Sequence, residues 1–190
     1  MTERRKVITV IGSGDSLDEA AEQAPFELGC WIGISGFHLL TGGGDGVMAA
    51  VSRGFCSVPH AGLSIGIIPA GKPAGKYPNA WVELPITTHL RGDDPRGPDS
   101  RNHINVLTAD AIVAFPGGAG SQAELEIALQ LRGSRPALAI VACLRPNEHI
   151  GGMSRNAVVD AGVRVEERPG AVRQYLASVF AIEPGRTRAP

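Results

Sequence analysis

Short apolar runs alternate with longer segments of helical periodicity along most of this chain. Continuous apolar or alternating runs predict strands, whereas apolar residues three and four positions apart predict helices. The predicted strands are residues 7–11, 37–41, 63–68, 81–86, 111–115, 137–142 and 163–165. The predicted helices are residues 18–33, 47–56, 101–109, 147–160 and 170–180, and a helix through 125–131 that begins near Ser121. Pro85 places the fourth strand near a sheet edge, because proline cannot donate to a central ladder.

Glycine and proline concentrate between these elements. Residues 70–79 and 91–99 are therefore predicted as loops, and the polar residues 184–190 as a flexible tail. Strands and helices that alternate in this way form a mostly parallel sheet with helices on both faces, joined by right-handed crossovers. The pattern predicts a single α/β domain over residues 1–183. Ligands of such sheets bind beyond the carboxyl ends of the strands, so the turns at those ends are candidate sites.

The turn after the fifth predicted strand, residues 116–121, is the most informative of these. Its sequence, P-G-G-A-G-S, leads from a buried strand into a helix. Backbone N–H groups at such a helix N-terminus, together with the helix dipole, favour a phosphate. Ser121 either caps the helix or gives its hydroxyl to that phosphate. Glu124 lies one turn further on and would repel a phosphate, which predicts that it faces another, reacting part of the ligand.

Two further glycine turns follow the first and second predicted strands. Gly12-Ser13-Gly14 is short, and both a tight turn and a ligand contact remain open, because leucine at position 17 breaks the G-x-G-x-x-G fingerprint. Residues 42–46 hold four glycines in five positions, which is more than helix capping needs and predicts close approach of a ligand. No Walker A pattern occurs, so ATP hydrolysis of the P-loop type is not expected.

Arg101 begins a predicted helix for which Ser100 is the predicted N-cap. A positive side chain opposes the dipole at a helix start. An anionic ligand, or a partner such as Glu124, would account for this arginine, and a solvent-facing side chain is the alternative. His103 follows closely, but a lone histidine is more simply a surface or core residue.

Composition and charge narrow the classes of function. A formal net charge of -1 and an aromatic content of 5% offer nothing to attract nucleic acid or a membrane surface, and few rings on which bases could stack. The apolar run near the N-terminus is too short for a signal peptide or a membrane span. Cys30, Cys56 and Cys143 have unrelated spacings, which predicts reduced thiols and a cytoplasmic location. The histidines lack metal-ligand spacing, so no metal site is predicted.

Taken together, these residues resemble the LOG-like superfamily, which contains the cytokinin-activating phosphoribohydrolases often labelled "lysine decarboxylase-like". The family motif P-G-G-x-G-T-x-x-E is matched by residues 116–124, with Ser121 in place of threonine. Arg101 matches an arginine fifteen residues before the proline of the motif, and residues 42–44 match a G-G-G turn. The enzymes usually have lysine where this chain has Asn102, and their glycine loop is one residue longer. Both features are closer to a sister branch that includes molybdenum cofactor carrier proteins and bacterial nucleotide-binding proteins.

The resemblance implies a Rossmann-like fold, a homodimer or higher homo-oligomer, and a small phosphorylated ligand. In the enzyme branch, a nucleoside 5′-monophosphate is hydrolysed at its N-glycosidic bond to a base and ribose 5-phosphate. Arg101 and Glu124 would then be catalytic, and no cofactor would be required. The ligand-binding residues expected on the combined grounds of motif and resemblance are Gly12, Ser13, Gly42, Gly43, Gly44, Asn102, Gly117, Gly118, Gly120 and Ser121.

Hydrolysis of this kind is the first expectation. The alternative is a carrier or sensor that binds molybdenum cofactor, or another phosphorylated pterin or nucleotide, without turning it over. A lysine decarboxylase is disfavoured because nothing resembles a pyridoxal phosphate lysine site. DNA binding is disfavoured because the sequence has no basic stripe.

Overall fold

The computed structural model describes residues 4–71, 77–90 and 94–182. Its strands are β1 (Val7–Ile11), β2 (His38–Thr41), β3 (Ser64–Ile68), β4 (Leu84–Thr87), β5 (Ala111–Ala114), β6 (Ala139–Cys143), β7 (His149–Ile150), β8 (Met153–Ser154) and β9 (Arg164–Glu166). Its helices are α1 (Glu19–Ile34), α2 (Val47–Cys56), α3 (Asn102–Thr108), α4 (Ala119–Arg132), α5 (Arg155–Asp160) and α6 (Pro169–Val179). No described helix is long and apolar enough to cross a membrane.

Seven of the strands form one parallel sheet in the order β4-β3-β2-β1-β5-β6-β9. The central strand β1 pairs with β2 and β5, so that Thr9 lies between Leu40 and Ile112. From β1 the chain adds β2, β3 and β4 on one side and then returns to add β5 on the other. The predicted α/β fold with a parallel sheet is confirmed. Its topological switch point lies between the carboxyl ends of β1 and β5, where ligands of open α/β sheets bind.

Helices cover both faces of the sheet, because alternate strand residues point to opposite sides and both sides are apolar. On one face α1, α2 and α6 pack on the sheet through buried residues that include Leu28, Phe55 and Leu176. On the other face α3, α4 and α5 contribute Val106, Leu125 and Val158. The glycine turns lie at the carboxyl edge of the sheet, and the helices leave this edge accessible to a ligand.

One part of the second face is not covered. Leu84 and Ile86 of β4 pair with Ile65 and Ile67 of β3, and they point to the same side of the sheet as these two residues. Leu84 is 41% exposed and Ile86 is 42% exposed. The nearest helix in sequence, α3, has seven residues and is too short to cover this end of the sheet.

Three local predictions are wrong. The edge strand begins at Leu84 and not at residue 81, because Val82 N donates to Asn79 O (3.2 Å) and closes a turn first. Residues 149–154 form the β7–β8 hairpin around Gly151, whose φ is +57°, so only the second half of the predicted helix 147–160 is helical. The helix predicted at 101–109 has Arg101, not Ser100, at its N-cap position, although Ser100 Oγ accepts the N–H of Asn102 at 3.2 Å.

Parts of two predicted loops, residues 72–76 and 91–93, lie outside the described residues. The predicted tail, residues 184–190, also lies outside them.

Candidate functional site

Nine of the twelve predicted site residues line one cavity of about 220 Å³ at the carboxyl edge of the sheet. They are Gly12, Ser13, Gly42, Arg101, Asn102, Gly118, Gly120, Ser121 and Glu124. The cavity is also lined by Val10, Ile11, Gly14, Asp15, Met48 and Tyr77. It lies over the switch point between β1 and β5, so the fold brings together turns that are more than a hundred residues apart in sequence.

Helix α4 begins at the wall of this cavity. Gly118 is its N-cap residue and offers no side-chain hydrogen bond to the first turn. The first N–H groups of a helix have no partner within the helix, and they carry the positive end of its dipole. Ser121 is the third residue of the helix, so it is not the cap. Its side chain is buried, and no described residue hydrogen-bonds to its hydroxyl, which leaves that hydroxyl for a ligand.

Two of the three glycines in the turn that leads into α4 could carry a side chain without a clash in the described fold. A Cβ at Gly118 or Gly120 would meet no atom within 4 Å. Gly117 is different, because a Cβ there would overlap the Ser121 hydroxyl and would lie 2.9 Å from the carbonyl carbon of Gly12. Gly117 therefore lets the two turns pack together and does not line the cavity, whereas open space above Gly118 and Gly120 suits the close approach of a ligand.

The glycine loop after β2 serves mainly the packing of the protein itself. Gly43 has φ +73° and lies against Ile68. Gly44 lies against Met48 and Tyr77. Neither lines the cavity, so of the three glycines predicted here to contact the ligand only Gly42 is placed to do so.

The turn after β1 holds the glycine turns that follow β2 and β5 in position. Ser13 N donates to Pro116 O at 2.9 Å, and Ser13 O accepts the N–H of Val47 at the start of α2, also at 2.9 Å. Its hydroxyl accepts the N–H of Asp15 at 3.0 Å. Ser13 therefore has the tight-turn role that the sequence left open, and it also lies in the wall of the cavity.

Glu124 is buried at the base of the cavity, with 9% of its surface exposed. Asn105 of α3 donates a 2.6 Å hydrogen bond from Nδ2 to Oε1 of this carboxyl group. Burial raises the pKa of Glu124 above its ordinary value. The positive charge of Arg101 and the hydrogen bond from Asn105 offset this effect only in part.

Arg101 reaches the same cavity from the residue before α3. Its Nη1 donates to the carbonyl oxygen of Ile67 at 2.9 Å, and the guanidinium lies against Gly42, where a Cβ would overlap it. Of the partners that the sequence left open for Arg101, Glu124 is not in direct contact with it: the hydrogen bond to that carboxyl group comes from Asn105, and Arg101 acts on it through its charge. The remaining guanidinium donors are available to an anion in the cavity.

Asn102 is buried, and its Nδ2 donates to Pro95 O at 3.0 Å. It therefore helps to hold the turn of residues 94–100 as well as lining the cavity.

Among the site residues that were not predicted are Asp15, Met48, Tyr77 and Asn105. A signal existed for Asn105, since it follows Arg101 by four residues in a predicted helix and such residues share a face. Met48 occupies the first turn of α2, directly after the glycine loop, where sequence position alone pointed to the site. Tyr77 comes from a loop rich in proline and glycine, which carries no signal of where its side chain goes.

The chemistry of the cavity is divided between its two ends. Backbone N–H groups of α4, the Ser121 hydroxyl and Arg101 suit an anion. Glu124 supplies one buried carboxyl group a helical turn away, and Asp15 supplies a second carboxylate at the wall. A phosphate fits the first end, and a positively polarised or hydroxyl-bearing group fits the second.

Comparison with known proteins agrees with this geometry. The sequence profile of the SLOG cluster4 family matches residues 5–158. The chain is 32% identical over 171 residues to an uncharacterized protein of Archaeoglobus fulgidus, a match that covers 90% of this chain and 94% of that protein.

Solved structures extend the comparison. The molybdenum cofactor binding protein of Rippkaea orientalis superimposes with a TM-score of 0.70 at 25% identity, and the match covers 94% of this chain and 99% of that one. The molybdenum cofactor carrier protein of Chlamydomonas reinhardtii gives a TM-score of 0.69 at 27% identity, with the same coverage. The expected LOG-like relationship and the expected similarity to the carrier branch are confirmed. The chain belongs to the SLOG cluster4 family.

Proposed function

We propose that the cavity binds the phosphate end of a phosphorylated heterocycle. The observation that carries this proposal is the open first turn of α4, where Gly118 and Gly120 leave unfilled space beside unpartnered N–H groups and the Ser121 hydroxyl. Arg101 adds a positive charge opposite that turn. A volume of about 220 Å³ is smaller than most sites that enclose a whole ligand. The phosphate and its neighbouring group would therefore be enclosed, with the heterocycle at the open rim.

The preferred form of this function is carriage of a phosphorylated pterin, with molybdenum cofactor as the first cargo to test. The two solved relatives above are described as binding or carrying that cofactor, and each covers nearly the whole of this chain. Asn102 supports the same choice, because its amide holds the 94–100 turn and puts no positive charge beside Arg101. Backbone N–H groups, Ser121 and Arg101 would hold the phosphate of the cargo.

Hydrolysis of a nucleoside 5′-monophosphate is the second candidate, and the environment of Glu124 favours it. A carboxyl group whose pKa is raised by burial is, once ionised, a stronger base toward water than an exposed one. Water would add to the anomeric carbon as the bond to the base breaks, and the base would take a proton from solvent, to which Glu124 later returns the proton of the attacking water. Glu124 would take the proton from the water or stabilise the positive charge that develops on the ribose, and Asn105 would hold its carboxyl group in place.

One pair of experiments tests binding and separates the two candidates. Calorimetric titration with adenosine 5′-monophosphate and with adenosine tests whether binding needs the phosphate. The proposal would be refuted if neither a nucleoside 5′-monophosphate nor a phosphorylated pterin bound in a phosphate-dependent way. Chromatography of a panel of nucleoside 5′-monophosphates then tests for a free base and ribose 5-phosphate. Release that is lost in Glu124→Gln, while phosphate binding persists, would establish the hydrolase.

A carrier gives the opposite pattern. No base is released from any panel member, and the protein purified from cells that make molybdenum cofactor contains molybdenum and a pterin that becomes fluorescent on oxidation. Arg101→Ala should then lower the pterin content, whereas a substitution at the half-buried Arg173 of α6, which does not line the cavity, should leave it unchanged.

We also propose a homodimer formed through the uncovered sheet face of β4. Leu84 and Ile86 expose an apolar surface there that water disfavours. Leu107 of α3 is 55% exposed and follows the sheet-packed Ile104 by three residues, which extends the apolar surface. Light scattering of the wild type and of Ile86→Glu tests this: the wild type should be a dimer and the variant a monomer. A cytoplasmic location is also proposed, because all three cysteines are unpaired.

A further inference from the structure

Three side chains with metal-binding atoms converge far from the ligand cavity. Cys56 is the last residue of α2, His60 lies in the turn that follows, and Glu83 directly precedes β4. The cysteine sulfur, an imidazole nitrogen and a carboxylate oxygen all lie within 4.8 Å of one another. Spacing in the sequence did not indicate this site, because Glu83 reaches the other two residues only through the pairing of β4 with β3.

Each of these three side chains makes a hydrogen bond to a backbone group outside the cluster. His60 Nδ1 lies 2.8 Å from Val58 O, Glu83 Oε2 accepts the N–H of Ser64 at 2.8 Å, and the Cys56 thiol donates to Trp81 O at 3.3 Å. A carbonyl or carboxylate oxygen only accepts, so in the metal-free protein Nδ1 donates to Val58 O and Nε2 donates to Glu83, and a metal ion would take the place of the proton on Nε2. That nitrogen lies 3.2 Å from Oε1 of Glu83. Ligands oriented by outer partners in this way are typical of protein metal sites.

Packing fixes the imidazole and leaves the site accessible. The His60 ring lies 4.5 Å from the ring of Phe55, measured between centroids. The side chains of His60 and Glu83 are 18% and 37% exposed, so an ion can enter from solvent. Arg53, one turn earlier in α2, is paired with Glu22 at 2.7 Å, which offsets its charge near the site.

We propose that Cys56, His60 and Glu83 bind a divalent metal ion of the zinc class. Sulfur, imidazole and carboxylate are the three ligand types that Zn²⁺ takes in proteins, and water would complete a tetrahedron. One thiolate and one carboxylate together neutralise the charge of the ion, so the filled site carries no net charge. The proton of the Cys56 thiol and the proton that His60 Nε2 donates to Glu83 both pass to solvent on binding.

The bound metal would stabilise a segment that supports the glycine loop after β2. It would join the end of α2 to residues 79–83. Asn79 N donates to Gly43 O at 2.8 Å, and Asn79 Nδ2 donates to Gly44 O at 2.8 Å. Trp81 N in turn donates to Asn79 Oδ1 at 3.1 Å. The metal would therefore hold both the end of α2 and residues 79–83, which support the glycine loop.

Titration of the full-length, metal-free protein with Co²⁺ tests the proposal, since a thiolate ligand gives Co²⁺ a charge-transfer absorption band. The wild type should develop this band with one equivalent of Co²⁺ and lose it when Zn²⁺ is added. Cys30→Ser is the matched control, because Cys30 lies nearby on α1, 3.4 Å from Ser57 Oγ, but outside the cluster. It should behave like the wild type. Cys56→Ser should lose the band, and His60→Asn and Glu83→Gln should bind Co²⁺ at least about tenfold more weakly.

A second measurement guards against variants that fold poorly. In the wild-type chain, Zn²⁺ should slow alkylation of Cys56, followed by mass spectrometry, and leave alkylation of Cys30 unchanged. It should also raise the melting temperature, because an ion that binds only the folded state stabilises it. Absence of a one-equivalent cobalt band in the wild type, an equal band in Cys56→Ser, or unaltered alkylation of Cys56 would each overturn the proposal.

Discussion

The amide nitrogen of Asn105 donates a 2.6 Å hydrogen bond to Oε1 of Glu124, and both residues are buried. This contact joins α3 to α4 at the base of the cavity. The other amide atom of Asn105, Oδ1, is buried and has no hydrogen-bond partner among the described residues. A carboxyl group held by one neutral donor in a buried place is costly to the fold. At the Asn105–Glu124 pair, a carboxyl group that serves the function of the cavity should therefore lower the free energy of unfolding.

Asn105→Ala should destabilise the protein by about 1–3 kcal/mol at pH 7, because it leaves a buried carboxyl group without its donor. Urea unfolding followed by circular dichroism measures the change. The loss should be smaller when Glu124→Gln is already present, since a neutral amide is less costly to leave unpaired. Equal losses in the two backgrounds would show that the hydrogen bond to Glu124 is not the cause.

Glu124 should also make the protein less stable as pH rises. Because burial raises its pKa in the folded state, the folded protein binds the proton more tightly than the unfolded chain does. Its contribution to stability is therefore greatest below the unfolded pKa of about 4.3 and is lost as the pH rises through the folded value. The free energy of unfolding of Glu124→Gln minus that of the wild type should increase over this interval. A difference that does not change with pH would contradict the prediction.

Gly120→Ala should separate ligand binding from folding. A Cβ at Gly120 meets no protein atom within 4 Å, and alanine favours a helix over glycine by up to about 1 kcal/mol. Stability should therefore be unchanged or higher, while affinity for adenosine 5′-monophosphate or the pterin falls at least about tenfold, which corresponds to about 1.4 kcal/mol. Gly133→Ala is the matched control, because Gly133 has helical φ and ψ at the other end of α4 and lies away from the cavity. Unchanged affinity in Gly120→Ala would place the phosphate elsewhere.

Gly42→Ala should act through Arg101. The added Cβ overlaps the guanidinium, which is the mobile end of a long side chain, so displacement of that group should cost little stability. Loss of a charged donor should weaken phosphate binding by about 1.5–3 kcal/mol. The variant should therefore match Arg101→Ala in calorimetry, and the double variant should bind no more weakly than either single one. Additive losses would mean that Gly42 contacts the ligand independently of Arg101.

Local patterns were sufficient for most of the architecture. Residues 7–11, 111–115 and 137–142 form strands within one or two residues of their predicted limits, because short apolar runs bounded by glycine, proline or polar residues leave few alternatives. The prediction fails at residues 149–154, where local helix and strand propensities are low. Residues 149–154 form a hairpin that only the φ of Gly151 and pairing with the Gly117 turn explain, since Gly151 N donates to Gly117 O at 2.7 Å.

By itself the sequence determined that this protein is a parallel α/β domain whose glycine turns meet at one edge, since those properties follow from periodicity and from the topology rules of parallel sheets. Only the tertiary structure decided which side chains touch. It placed Asn105, and not Arg101, on Glu124, and it packed Gly43 and Gly44 against protein atoms. It also brought Cys56, His60 and Glu83 together. Such contacts depend on strand register and side-chain rotamers across separate elements, and no local pattern encodes either of them.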